Sequence, residues 1–243
     1  MHAAACHSIS LAKPYIIHFD MMRECTNECS WIKPFLDQRQ AGCAGGRSYY
    51  LVDSKSQMLQ ALDHPIKPQA VLCTSADIGN AKFANLRARL KQYVKAGGRL
   101  VLGGQIASFL HYDEFDPLLA SFGVSWKRSQ YFGTPQELVP SHPFLATLSA
   151  SQRATLASSY SAKAATLEDV PLSEVLYKGV EEEDEDYDYD EDELPKPTPP
   201  PSLGERWVAV AAAKVGQGWF AYLGDVNQEA ETSAATLVLL GLS

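Results

Sequence analysis

The sequence predicts an α/β fold: a flavodoxin-like three-layer sandwich on a mostly parallel sheet, with an extra antiparallel portion in the C-terminal half. Three observations carry this prediction. Short apolar runs alternate with helical stripes through the first half, the pattern of strands buried on both faces and joined by helical crossovers. The clearest stripe, Asn80 to Ala96, places Phe83, Leu86, Leu90, Tyr93 and Val94 on one face and stops at Gly97-Gly98. After Phe122 the pattern changes: Arg206 to Val215 and Trp219 to Leu223 flank Gly216-Gln217-Gly218 and read as a hairpin.

Each element has its own local reason. Tyr15-Ile16-Ile17-His18-Phe19 is an apolar run of strand length, which leaves Asp20 at its carboxyl end. Asp20 to Gln40 is partly helical and is interrupted at Pro34, which lacks a backbone donor. Tyr49 to Val52 is a second strand, and Ser54 caps a short helix to Leu62. Ala70 to Cys73 and Leu100 to Leu102 are the third and fourth strands, with right-handed crossovers expected between parallel neighbours. Tyr160 to Leu167 and Glu174 to Tyr177 read as short strands, and Ala230 to Leu240 as a closing helix.

The chain has 243 residues, 46% of them hydrophobic, enough for one sizeable core. Residues 1–46 supply an N-terminal strand and a cysteine-containing segment continuous with an α/β domain over 47–243. That domain is interrupted at 179–204 by an acidic, proline-rich insert. The formal charge of −8 misleads, because Glu181 to Glu193, EEEDEDYDYDEDE, holds 11 of the 29 acidic residues. The remainder has 21 basic against 18 acidic residues, so no basic field for nucleic acid or anionic membrane is expected. Like charges repel and proline denies ladder hydrogen bonds, so the insert reads as a disordered tether or a handle for a basic protein partner. Tyr187 and Tyr189 within it are candidates for phosphorylation. No apolar run approaches the roughly 20 residues of a spanning helix, and the first residues lack a secretory pattern. Five scattered cysteines fit reduced thiols better than a disulfide framework, so the expected location is the cytoplasm, or the nucleus, and not outside the cell.

The stretch GGRLVLGGQIASF, residues 97–109, has the layout of a strand entering a tight turn and a short helix. Together with the strand into Cys73-Thr74-Ser75-Ala76-Asp77 and the segment DEFDPLLASFGVSW, it resembles the class I glutamine amidotransferase-like superfamily, nearest to an uncharacterised, mainly fungal branch. YSAKAATLEDVPLSEVLY and VGQGWFAYLGDVNQE extend the resemblance, which spans Ala70 to Leu242 less the acidic insert. The resemblance implies a cysteine at the turn, with a histidine and a glutamate further on. Here the turn holds Gln105 or Ile106, depending on register, and the late loop reads Gly224-Asp225-Val226-Asn227 with no histidine. The resemblance therefore implies an amidotransferase-like protein without the amidotransferase triad: a ligand-binding pseudoenzyme or an interaction protein. The alternative is a hydrolase or isomerase of a small polar metabolite.

The candidate catalytic groups for that alternative are Asp77, Ser108, His142 and Asp225, as acids, bases or orienting groups. The candidate ligand-binding residues are Asp20, Gly103, Gly104, Gln105 and Asn227. Asp20, Asp77, Gln105, Ser108 and Asp225 are all expected at the carboxyl ends of strands, where open α/β sheets bind ligands. Gln105 in particular is expected to face the cleft. Each has a plain structural reading as well, because glycine pairs permit tight turns and aspartates cap helices. Trp126, Tyr131 and Phe132 read as pocket lining or as core. Cys25 and Cys29, with Cys43 and His18, offer one short cysteine spacing where zinc sites usually show two, so no metal is assigned. No cofactor is assigned, and the expected partner is a small polar ligand.

Overall fold

The computed structural model describes residues 15–21, 48–180 and 206–242. The N-terminal cysteines, the helix expected after Asp20 and nearly all of the acidic insert lie outside the described residues. Nine strands are described: β1 (Tyr15–Phe19), β2 (Ser48–Val52), β3 (Ala70–Cys73), β4 (Arg99–Leu102), β5 (Lys127–Leu138), β6 (Ser159–Glu168), β7 (Val175–Gly179), β8 (Val208–Val215) and β9 (Gly218–Leu223). The helices are α1 (Lys55–Asp63), α2 (Ala84–Lys95), α3 (Gln105–Phe109), α4 (Tyr112–Phe122), α5 (Ala150–Thr155) and α6 (Ala230–Leu239), with short 3-10 turns between them.

One part of the sheet is parallel, in the order β2-β1-β3-β4-β9. Because successive side chains point to opposite faces, alternate residues of these strands feed two cores. Ile17, Val71 and Leu100 pack with Leu86, Leu90 and Val94 of α2 and with Phe115 of α4. Ile16, Leu72 and Val101 pack with Phe144 and with Ala235, Leu237 and Val238 near α6. The caps match their local sequence: Ser54 Oγ accepts from Gln57 N at the start of α1. Asn80 caps a 3-10 turn over Ala81–Phe83 that leads into α2, so that helix begins four residues later than its apolar stripe suggests.

The strands after Phe122 overturn the mostly parallel, flavodoxin-like sandwich. β9 pairs antiparallel with β8, β8 with β6, β6 with β5, β5 with β7, and β7 returns to β8. β5 to β8 thus close on themselves as an antiparallel barrel, with the parallel strands attached through β9. Antiparallel pairings outnumber parallel ones among the described strands, and the class I amidotransferase-type three-layer description falls with the flavodoxin-like one. The physical cause lies mainly in β5, which carries no clean period-two pattern. A register shift between Arg128 and Tyr131 breaks its alternation, and Gly133 and Pro135 mimic loop chemistry inside the strand. Pro135 is tolerated because its carbonyl still accepts from Val180 N at 2.9 Å.

Candidate functional site

The registers set one level across the parallel strands: Phe19 lies beside Cys73, Cys73 beside Leu102, and Leu102 beside Tyr222. Asp20, Thr74, Gly103 and Leu223 therefore emerge together at the carboxyl edge. β1 leads on to β2 on one side and β3 leads on to β4 on the other, so the strand order reverses between β1 and β3. In open α/β sheets this reversal opens the crevice where ligands bind.

At the end of β4, Gly103 N donates to Cys73 O at 3.2 Å, and Gly104 follows with φ 59° and ψ −124°. A side chain rarely adopts that conformation, and glycine holds it at no steric cost. A Cβ on Gly103, by contrast, would sit 3.6 Å from Leu223, an ordinary contact. The sharp strand-to-helix turn, where hydrolases with this layout carry their nucleophile, is thus centred on Gly104. Gln105 and Ile106, the two positions the sequence offered, already belong to α3. Both are buried, whereas Ser108 at the far end of α3 is exposed.

Asp225 is 2% exposed, and both of its oxygens are engaged: Oδ1 accepts from Asn227 N at 2.9 Å and Oδ2 from Glu229 N at 2.8 Å. It holds the loop that leads into α6, and the Asn227 side chain beside it is exposed. Asp77 is half-buried in the 3-10 turn Ala76–Gly79 and faces Lys82 Nζ at 3.6 Å. His142 lies at the opposite end of the molecule. Its ring packs on Trp219, which pairs with Arg99 at the amino ends of β9 and β4. Phe144 N donates to His142 Nδ1, so Nε2 carries the proton and donates to Ala212 O, each at 3.0 Å. Burial lowers its pKa, opposed by the carbonyls it binds, so His142 is a neutral cap for the 3-10 turn Pro143–Thr147. Asp20 is buried next to Cys73 and His18, at the reversal point.

A network that the sequence reading did not single out lies beside Asp20. His18 Nδ1 is 2.6 Å from Tyr49 Oη, and His18 Nε2 is 2.7 Å from Thr74 Oγ1. A neutral imidazole donates through one nitrogen and accepts through the other, which serves both hydroxyls. Burial pushes the His18 pKa down to about 4, with Asp20 opposing the shift. The only signal in the sequence was a histidine inside an apolar strand, and its two partners lie on other strands. Among the described residues no group of histidines, cysteines and carboxylates is placed to hold a metal ion. Trp126 is core: it is 1% exposed, and its Nε1 donates to Glu174 Oε2 at 2.7 Å. Tyr131 is exposed beneath Lys163, and Phe132 meets Trp207 edge-on.

No family model matches the chain, and no curated protein matches it. Solved structures do show similarity. A ThuA-like protein from Bacteroides uniformis is 13% identical, over 97% of this chain and 94% of that one, at a TM-score of 0.48. A cytoplasmic protein from Salmonella typhimurium is 10% identical, over 94% and 98%, at 0.42. The beta-galactosidase from Bacillus circulans sp. alkalophilus is 12% identical over 94% of this chain, at a TM-score of 0.52. The match occupies 31% of the galactosidase chain, so the likeness is one of fold, to a part of that enzyme. Among the described residues no helix is long and apolar enough to cross a membrane.

Proposed function

We propose that this chain is a ligand-binding or interaction protein that keeps an amidotransferase-like order of segments without amidotransferase chemistry. The observation that carries this reading is Gly104: the positive-φ turn residue, where a nucleophile would stand, has no side chain. Two further observations support it. The carboxylate of Asp225 is occupied by backbone N–H groups, and both nitrogens of His142 are occupied far from the carboxyl edge. The same facts weigh against a hydrolase or isomerase built on Asp225 and His142, because a general acid or base must reach the proton it moves. The ligand in this reading is small and polar, and the acidic insert offers a separate handle for a basic protein. A reducing compartment, cytoplasm or nucleus, fits the odd cysteine count and the buried free thiol of Cys73.

The test is ammonia release from glutamine by the purified protein, run beside Gln105→Ala. No release above the buffer rate is expected from either. Turnover by the wild type that disappears in Gln105→Ala would overturn the reading. A thermal-shift screen against polar metabolites supplies the positive arm, since a ligand bound to the native state raises apparent stability.

A further inference from the structure

The loop after β3 contains a hydroxyl that the fold itself leaves unused. Ser75 is fully buried and precedes the 3-10 turn Ala76–Gly79, yet its side chain makes no capping bond. Its Oγ has no hydrogen-bond partner among the described residues. A buried hydroxyl left unpaired is costly, so a fold that keeps one invites an explanation in function. Its position supplies one. Ser75 follows β3 at the point where the strand order reverses, one residue beyond Thr74, which lies level with Asp20 after β1. Thr74 N donates to Phe19 O at 3.1 Å, which sets the start of the loop after β3 against the end of β1. The neighbouring Thr74 hydroxyl is held by His18, which fixes the loop from the strand side.

We propose that Asp20, Thr74 and Ser75 form a binding site for a small, uncharged, hydroxyl-bearing molecule, a polyol or monosaccharide, at the β1–β3 crevice. A carboxylate has about four acceptor positions, so Asp20 can take a ligand hydroxyl in addition to the interactions it already makes. Its charge disfavours an anionic ligand. The Ser75 hydroxyl both donates and accepts, and a ligand hydroxyl returns both, whereas an ammonium group can only donate. His18 is a positioning residue that orients Thr74. This assignment rests on the binding reading above and adds the place and the ligand class.

The experiment measures dissociation constants by ligand-observed NMR for wild type and Ser75→Ala. The probes are D-glucose, D-galactose, sorbitol and myo-inositol, with ethanolamine and putrescine as donor-only amines. At least one polyol should bind the wild type, and Ser75→Ala should weaken it about tenfold or more. Without ligand, Ser75→Ala should melt at the wild-type temperature or above, because the change removes a polar group with no partner. Binding by none of the polyols, an unchanged constant in Ser75→Ala, or preference for the amines would overturn the proposal. So would a variant that melts several degrees lower, since Ser75 would then be a bonded part of the fold. An unchanged constant would place the ligand elsewhere and leave the binding reading standing. Ammonia release would remove that reading without touching the comparison of constants.

Discussion

Gly104 concentrates the evidence about chemistry in one backbone conformation. Its φ of 59° and ψ of −124° turn the chain sharply from β4 into α3, and the absence of a Cβ makes the turn cheap. An alanine there is strained by the positive φ, so Gly104→Ala should destabilise by more than about 1 kcal/mol. Gly103 has no such need, since a Cβ would rest in ordinary contact with Leu223. Gly103→Ala should therefore cost clearly less, and urea denaturation of the two variants side by side makes the comparison. Equal losses would mean that both glycines serve close packing and that the turn is not strained at one residue. GGRLVLGGQIASF announces a tight turn from its glycines alone, but which residue takes the positive φ depends on where β4 stops pairing with β3 and β9. That boundary is a tertiary fact, which is why Gln105 and Ile106 stood as candidates for a place that Gly104 occupies.

At the scale of elements, Asp225 shows how a carboxylate at a strand end can serve the fold instead of a reaction. It receives backbone N–H groups from Asn227 and Glu229, two donors of the segment that delivers the chain into α6. α6 gets no side-chain cap from its own N-cap residue, Glu229, so this upstream carboxylate supplies the anchoring. Asp225→Ala should lose both bonds and leave two partly buried donors without this partner, at a cost of about 1–3 kcal/mol. Asp225→Asn keeps one acceptor oxygen and should lose less. Melting temperatures in that order, wild type above asparagine above alanine, are the expected result. A stable Asp225→Ala variant would return Asp225 to the list of candidate acids. β5 teaches the complementary lesson: its bulge, Gly133 and Pro135 each look like loop in one dimension. They form a strand because β6 and β7 supply partners on both sides.

At the scale of the whole molecule, two histidines among the described residues are buried and neutral, and both act on its response to acid. His18 is held near pKa 4 by burial against an ordinary value of 6.5, and the His142 pKa is lowered by the same cause. Below the unfolded value the denatured chain takes up protons that the native state refuses, so stability falls as pH drops from about 6.5 toward 4. The stability contributed by the neutral imidazoles is complete above that window. Denaturation midpoints measured between pH 4.5 and 7.5 should decline toward acid, and His18→Gln should flatten part of the slope while lowering stability at pH 7. An unchanged slope in that variant would assign the acid response to other groups.

The apolar runs of β1, β3 and β4, the stripe of α2 and the hairpin of β8 and β9 were legible in the sequence, because each is encoded by neighbours within a few residues. The closure of β5 to β8 into an antiparallel barrel was not, because closure is a property of pairings between residues far apart in sequence, such as Tyr177 with Val210. The same division runs through the site. From the sequence, Asp20, Asp77, Gln105, Ser108 and Asp225 were expected at the carboxyl ends of strands, yet Ser108 lies late in α3 and is exposed. Only the tertiary structure decided that Asp225 is spent on backbone donors, that His142 sits at the opposite end, and that His18 joins Tyr49 to Thr74. The hydrogen bonds of a buried polar group are made with whatever the fold brings beside it, and sequence spacing does not record those neighbours.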